Sequence, residues 1–293
     1  MGTSFTVEMY GPDPTQLARA GDRALDEASR IDHLLSNYLP DSELSRVNRD
    51  AARAPVKVSQ ELFDLLSTCI AVSRESEGTF DITVGPLMKV WGFFKDSGHL
   101  PSAKAVKDGL RKVGYQNIEL DRANRSVHFK QAGVELDPGG VGKGYAVDRM
   151  AAVLRQEGVH SALISGGGSS IFGLGTPPTE SRGWPIHIND PRDEKKTAAD
   201  VYLKDKSLST SGSYEKFFWA DGKVYSHIMD PRSGYPAQGM LAVSVLSSRT
   251  LDSEIWAKPY FILGHDWTRL HKPTGFRVLM CLDQPGAACA WLP

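Results

Sequence analysis

The sequence contains no apolar run near the ~18 residues that a membrane-crossing helix needs. Its first thirty residues are polar and acidic, unlike a secretory leader. An excess charge of one sign is also missing, since 34 basic and 35 acidic residues leave the chain of 293 at −1. That balance gives no electrostatic footprint for nucleic acid, and no Lys/Arg run marks a membrane surface. Cysteine is scarce: Cys69, Cys281 and Cys289 fit no CxxC or Cys/His spacing, and an odd number cannot pair completely within one chain. They read as ordinary core residues. His33, His99, His128, His160, His187, His265 and His271 form no metal-ligand pair, and GxSxG, HExxH and dinucleotide fingerprints are absent. What is present is 41% hydrophobic content, enough for a sizeable core.

The alternation that begins at Phe5 predicts an opening strand with almost no lead-in; a leader trimmed from the chain would leave the same start. Leu17, Leu25, Ala28, Ile31, Leu34 and Leu35 predict one amphipathic helix from about Asp13 to Leu35. Ser59 caps a second, with Leu62, Leu65, Leu66, Cys69, Ile70 and Val72 inside and Gly78 past its end. Ser102 caps a third, expected to end near Gly114. NIEL and SVHFK flank a hairpin, GVELD reads as a further strand, and FFWADGKVYSHI is a hairpin around Asp221 and Gly222. No repeat or linker appears, so the chain reads as one domain over 1–293, or two intimate lobes. Strands and helices intermix without a βαβ rhythm, which favours α+β over a doubly wound sheet.

The stretch ELDPGGVGKGYAVDRM looks at first like a P-loop, but Asp137 stands at the first glycine position and Gly144 at the hydroxyl position. The glycines still permit close backbone approach, Lys143 supplies a cation, and a helix begins just after, so the segment is either an anion site or a structural turn. A second glycine cluster, Gly166 to Gly168, lies across that helix and could meet the first in space. Ser207, Ser209, Thr210, Ser211 and Ser213 form a hydroxyl cluster that could donate to phosphate oxygens. His227 and Asp230 stand three apart, a spacing that lets a carboxylate orient an imidazole for proton transfer; the alternative is a turn cap beside a strand histidine. Asp81 beside Phe80, with Met88, Trp91, Phe93 and Phe94, suits a planar ligand or simply a core.

MGTSF, SNYLPDSELSRVN, GTFDITVGPLMKVWGF, LDPGGVGKGYAVD, ALISGGGSSIFGLG, STSGSYEKFF and YSHIMDPRSGYP, in that order, resemble the blocks of the ApbE family, the FAD:protein FMN transferases, from Met1 to about Gly264. The resemblance implies a T-fold-like α+β architecture of mixed or antiparallel sheets packed with helices. It implies that FAD is split at its pyrophosphate, FMN passes to a Ser or Thr hydroxyl of an acceptor protein, and AMP leaves, with Mg²⁺ assisting. By matching position, Met1, Tyr38, Thr79, Phe80, Asp81, Asp137 and Lys143 would contact FAD, and His227 would assist deprotonation of the acceptor hydroxyl. The family's acceptors tend to carry Asp-x-x-Ser/Thr-Gly-Ala/Ser-Thr, and related proteins often face the periplasm; a chain complete as it stands would be cytoplasmic. An FAD pyrophosphatase and a non-catalytic FAD-binding protein are the alternatives.

One block departs from the family. Where it usually reads like ADALATALFVLG, with an Asp and a Thr that bind metal beside a backbone carbonyl, this chain reads SEIWAKPYFILG. Glu254 takes the place of the Asp, Lys258 that of the Thr, and Gly140 would give the carbonyl. A longer Glu could still reach Mg²⁺, whereas an ammonium cannot ligate it. Lys258 therefore either points away or stands in place of the cation, and Pro259 is expected to push it out of helical geometry.

Overall fold

The computed structural model describes residues 2–95 and 98–293, which form two compact units. One contains residues 1–32, 141–212 and 239–293, the other residues 33–140 and 213–238. Seven α-helices are found among the described residues: α1 Pro14–Leu35, α2 Glu43–Asp50, α3 Gln60–Glu75, α4 Gly85–Val90, α5 Ala103–Leu110, α6 Gly142–Gln156 and α7 Thr250–His271. Their starts follow capping chemistry. Asp13 accepts from the N–H groups of Thr15 and Gln16, with Pro14 at the first helical position of α1. Ser42, Ser59 and Ser102 do the same for α2, α3 and α5.

The first unit is built on an antiparallel seven-stranded sheet in the spatial order Phe5–Met9, Ala162–Gly166, Ser170–Leu174, Lys206–Gly212, Met240–Ser247, Arg277–Leu282, Ala290–Trp291. Helix α6 packs on the second and third of these strands, α7 on the fourth and fifth, and the two helices pack on each other. Ala20, Ala24 and Ala28 of α1 join Val147, Met150 and Leu154 of α6 over Ile164 and Phe172. Period-2 alternation sends Leu208, Leu246 and Leu279 into a separate cluster with Trp184 and Leu203 of a two-stranded ribbon. Ser207 and Ser209, one residue off that pattern, turn the other way and bond to Ser247, Ser253 and Ser170. The expected phosphate-binding hydroxyls are thus in part internal: Ser207 and Ser209 are buried and tie the sheet to α7.

The second unit holds α2 to α5, a three-stranded sheet (Val56–Lys57, Ser126–Phe129, Ile118–Asp121) and the hairpin Phe217–Ala220/Lys223–Ser226. Trp91 and Phe93 are core with Leu87, Val106 and Met229, and the Trp91 indole donates to the Gly234 carbonyl. Helix α5 stops at Leu110, short of the expected Gly114. GVELD is no strand; it makes a single bridge, Val84 to Glu135. Its backbone donors go elsewhere, Leu136 to the Asn48 side chain and Asp137 to the Ile82 carbonyl, so no ladder is needed to satisfy them.

Two expectations near the C-terminus are corrected. Pro259 lies inside α7 without breaking it, and the non-helical residue is Gly264 (φ 75°). Burial of Trp256, Tyr260 and Phe261 outweighs one lost N–H bond. Cys281 and Cys289 are joined in a disulfide, leaving only Cys69 free; proximity across the sheet edge, invisible in the spacing, pairs them. Alkylation of the unfolded, unreduced chain should therefore add one label by intact mass, and three after reduction. Cys281→Ser should lower the unfolding free energy by about 2–3 kcal/mol, read by urea titration.

Candidate active site

In the first unit the site begins at the N-terminus of α6, where the cap residue Val141 offers no side-chain bond. The Gly144 N–H is taken instead by Glu254 Oε2 at 2.6 Å. A Cβ on Gly144 would lie 2.5 Å from the Thr250 carbonyl oxygen, so only glycine lets α7 come this close. Asp148 fixes the other helix in return, accepting from the N–H groups of Thr250 (2.7 Å) and Leu251 (3.0 Å) at the start of α7. The two glycine clusters do meet here. A Cβ on Gly166 would touch Lys143 Cβ at 3.4 Å, and one on Gly167 would lie 3.6 Å from its Cδ.

Glu254 is 1% exposed, with Oε1 3.0 Å from Lys143 Nζ. Lys258 Nζ donates to the Glu254 main-chain oxygen at 2.9 Å. Burial pushes the Glu254 carboxyl up, but the charges of Lys143 and Lys258 and the Gly144 N–H more than reverse it, leaving it below the ordinary glutamate value. The half-buried Lys258 loses hydration, which brings its ammonium down to about 8 against the pull of Glu254, with Lys143 adding to the fall. At neutral pH the group holds two ammonium ions for one carboxylate, at a helix end where peptide dipoles add about half a positive charge.

That composition does not fit a protein-held Mg²⁺. Magnesium demands near-octahedral oxygen ligation, and among the described residues no group of three or more His, Cys, Asp or Glu could hold a metal ion. Glu254, the expected ligand, has one oxygen on an N–H and the other beside an ammonium. A divalent ion about 4 Å from one ammonium would be repelled by about 8 kcal/mol at an effective dielectric of about 20. Lys258 does not point away: it stays helical and turns toward Glu254.

In the second unit Tyr38 is 59% exposed, stacked on Phe94 at 5.0 Å, and donates its hydroxyl to the Phe94 carbonyl. Lys89 Nζ lies over the Phe94 ring at 5.1 Å and pairs with Glu135 at 2.6 Å. The Asp137 carboxyl is pushed up by burial, opposed by the Gly139 N–H, raised further by Glu135, and drawn back by Lys216 and Lys89. Lys216 also links this group to His227, because its carbonyl accepts from the His227 N–H at 2.9 Å and stands 3.2 Å from Nδ1. A carbonyl only accepts, so Nδ1 carries the proton and a neutral ring has its lone pair on Nε2. Tyr38, Asp137 and His227 thus share one neighbourhood through Lys89, Glu135 and Lys216. None of these three carries a sequence signal of its own: Lys89 and Lys216 are ordinary charged residues inside family-like blocks, and Glu135 immediately precedes one.

Asp230 does not orient His227. Its carboxylate accepts from the main-chain N, Nε and Nη2 of Arg232, because the DPRSG turn folds the guanidinium back two residues. Thr79, Phe80 and Asp81 are all buried, and Thr79 donates to the Ser76 carbonyl. Asp81 accepts from the Thr83 N–H, the Thr83 hydroxyl and the Tyr115 N–H at 2.8, 2.6 and 2.6 Å; burial nonetheless pushes its carboxyl up. Its side chain is spent on the fold, so Asp81→Ala should cost about 2–4 kcal/mol in urea unfolding by stranding these donors. Met1 lies outside the described residues. A concavity of about 460 Å³ in the first unit, lined by Tyr10, Ser161, Thr176 and Pro177, contains none of the site residues.

A model of the ApbE family matches residues 1–280. This chain belongs to the ApbE family. It is 34% identical over 266 residues to an FAD:protein FMN transferase of Klebsiella pneumoniae, covering 90% of this chain and 80% of that protein. With the FAD:protein FMN transferase of Salmonella typhimurium it shares 31% identity over 300 residues, 100% of this chain and 85% of the relative. Among solved structures, the ApbE protein of Thermotoga maritima matches with a TM-score of 0.88 at 29% identity, covering 99% of this chain and 94% of that one. The apo flavinyl transferase ApbE of Pseudomonas stutzeri matches at 0.86 and 27%, covering 100% and 92%. The α+β architecture expected for an ApbE chain is the one found.

Proposed function

We propose that this protein transfers FMN from FAD to a Ser or Thr hydroxyl of an acceptor protein and releases AMP. The observation that carries the reading is the net-positive group of Lys143, Glu254 and Lys258 at the glycine-flanked N-terminus of α6, an arrangement suited to a pyrophosphate. The acceptor oxygen attacks the FMN-side phosphorus, its proton passes to Nε2 of His227, and the P–O bond to AMP breaks with its electron pair on the leaving phosphate. Charge grows on the phosphoryl oxygens and on AMP, so fixed cations and positioning do most of the work. The Tyr38–Phe94 shelf suits a ring system of the dinucleotide. The names of the relatives support the substrate and product, and no residue pairing here favours water over an alcohol as acceptor.

The disulfide supports placing the protein on an oxidising side such as the periplasm, since such bonds are rare in reducing cytosol. The test of the reaction is intact mass of a fragment bearing Asp-x-x-Ser/Thr-Gly-Ala/Ser-Thr after incubation with the protein and FAD. An FMN-sized gain with equimolar AMP is expected. AMP and free FMN at the same rate without acceptor would make the protein a pyrophosphatase.

A further inference from the structure

Glu254, buried in the first unit, has a lysine at each end, Lys143 at its carboxylate and Lys258 at its main-chain carbonyl. Glu254 spends Oε2 on the Gly144 N–H and holds Oε1 3.0 Å from Lys143 Nζ, while Lys258 Nζ is fixed at 2.9 Å on the same residue's carbonyl. Lys258 is not a solvated surface lysine: it is half-buried on α7, with its ammonium held on the Glu254 carbonyl. The turn Gly166–Gly167 closes on the Lys143 stem, so the side chain nearest the glycine backbone is itself cationic.

We infer that in this chain the Lys258 ammonium, paired with Lys143 across Glu254, supplies the positive charge that offsets the pyrophosphate, and that the protein holds no divalent metal for the transfer. The inference rests on the reading of the site as one that takes FAD. During transfer the P–O bond to AMP breaks and its electrons settle on the AMP phosphate, whose new charge the two ammonium groups offset without ligating it. Glu254 is the spacer that keeps the two cations in place and keeps their repulsion tolerable. A threonine at position 258 would remove one cation from beside Glu254 and add a hydroxyl oxygen that a metal can use.

The experiment uses the full chain, the acceptor fragment and FAD, with Mg²⁺ or with excess chelator, and in parallel measures Mn²⁺ binding by electron paramagnetic resonance. The parent should transfer FMN in chelator within about threefold of its rate in Mg²⁺ and bind no Mn²⁺ stoichiometrically. Lys258→Met should lose about a hundredfold in chelator, Lys258→Arg should keep most of the rate, and Lys258→Thr should gain a Mn²⁺ site and depend on metal. A parent rate that collapses in chelator and returns with Mg²⁺ overturns the inference, as does stoichiometric Mn²⁺ binding to the parent. Absence of transfer under both conditions sinks the transferase reading, and the Mn²⁺ arm still decides the cation: binding gained only in Lys258→Thr upholds it. If Lys258→Thr does not fold, the metal response of Lys258→Met and of the parent decides alone.

Discussion

Replacing His227 by alanine should lower the rate of FMN transfer by about 10²–10⁴-fold while leaving FAD affinity within about twofold. The imidazole lies in the second unit's charged cluster, its orientation set by the backbone carbonyl of Lys216. With Nδ1 donating to that carbonyl, Nε2 is the ring nitrogen with the lone pair that can take the hydroxyl proton. An alcohol is a poor nucleophile at neutral pH, so losing the proton acceptor removes activation without removing contacts to the dinucleotide. Single-turnover transfer and FAD fluorescence titration separate the two effects. Transfer within a few-fold of the parent would mean that another group takes the proton. Asp230→Asn is the contrasting variant: its carboxylate belongs to Arg232, so the rate should stay within a few-fold and any loss should appear in stability.

The largest loss of stability should come from Glu254→Ala. Removing the buried carboxylate leaves Lys258 without its counter-charge, frees Lys143 and strands the Gly144 N–H, a change expected to cost about 3–5 kcal/mol. Glu254→Gln should cost less, because an amide oxygen can still accept from Gly144. Adding Lys258→Met to it should restore part of the loss, which a double-mutant cycle in urea reads directly. The pH dependence has two signs. Glu254 is held below its ordinary value of 4.5, so its contribution is complete above that value and fades as pH falls through the lower folded one. Lys258 is lowered from 10.5 to about 8, so between these values the unfolded chain binds more protons and stability rises with pH. The rise should be absent in Lys258→Met, measured from urea midpoints across that interval.

Much of this chain was legible from local patterns. Helical spacing located α1 and α3, the hydroxyl caps Ser59 and Ser102 marked two helix starts, and turn residues located the Phe217–Ser226 hairpin, because caps, periodicity and turns are short-range physics. The ordered blocks identified the family, and the glycine–lysine turn, which fails the P-loop test, read as either an anion site or a structural turn. The sequence by itself also singled out Lys258 as the residue out of place.

Tertiary structure decided what those residues do. It gave Asp230 to Arg232 and His227 to a backbone carbonyl, buried Asp81 against Thr83 and Tyr115, and turned Ser207 and Ser209 into internal glue. It joined Cys281 to Cys289 and carried α7 through Pro259. It also set Lys143 against the Glu254 carboxylate and Lys258 against the same residue's main-chain carbonyl, 111 and four positions away by residue number. Hydrogen bonds and Coulomb forces act over a few ångströms of space, and a chain folded into antiparallel sheets brings together partners whose separation in sequence carries no trace of it.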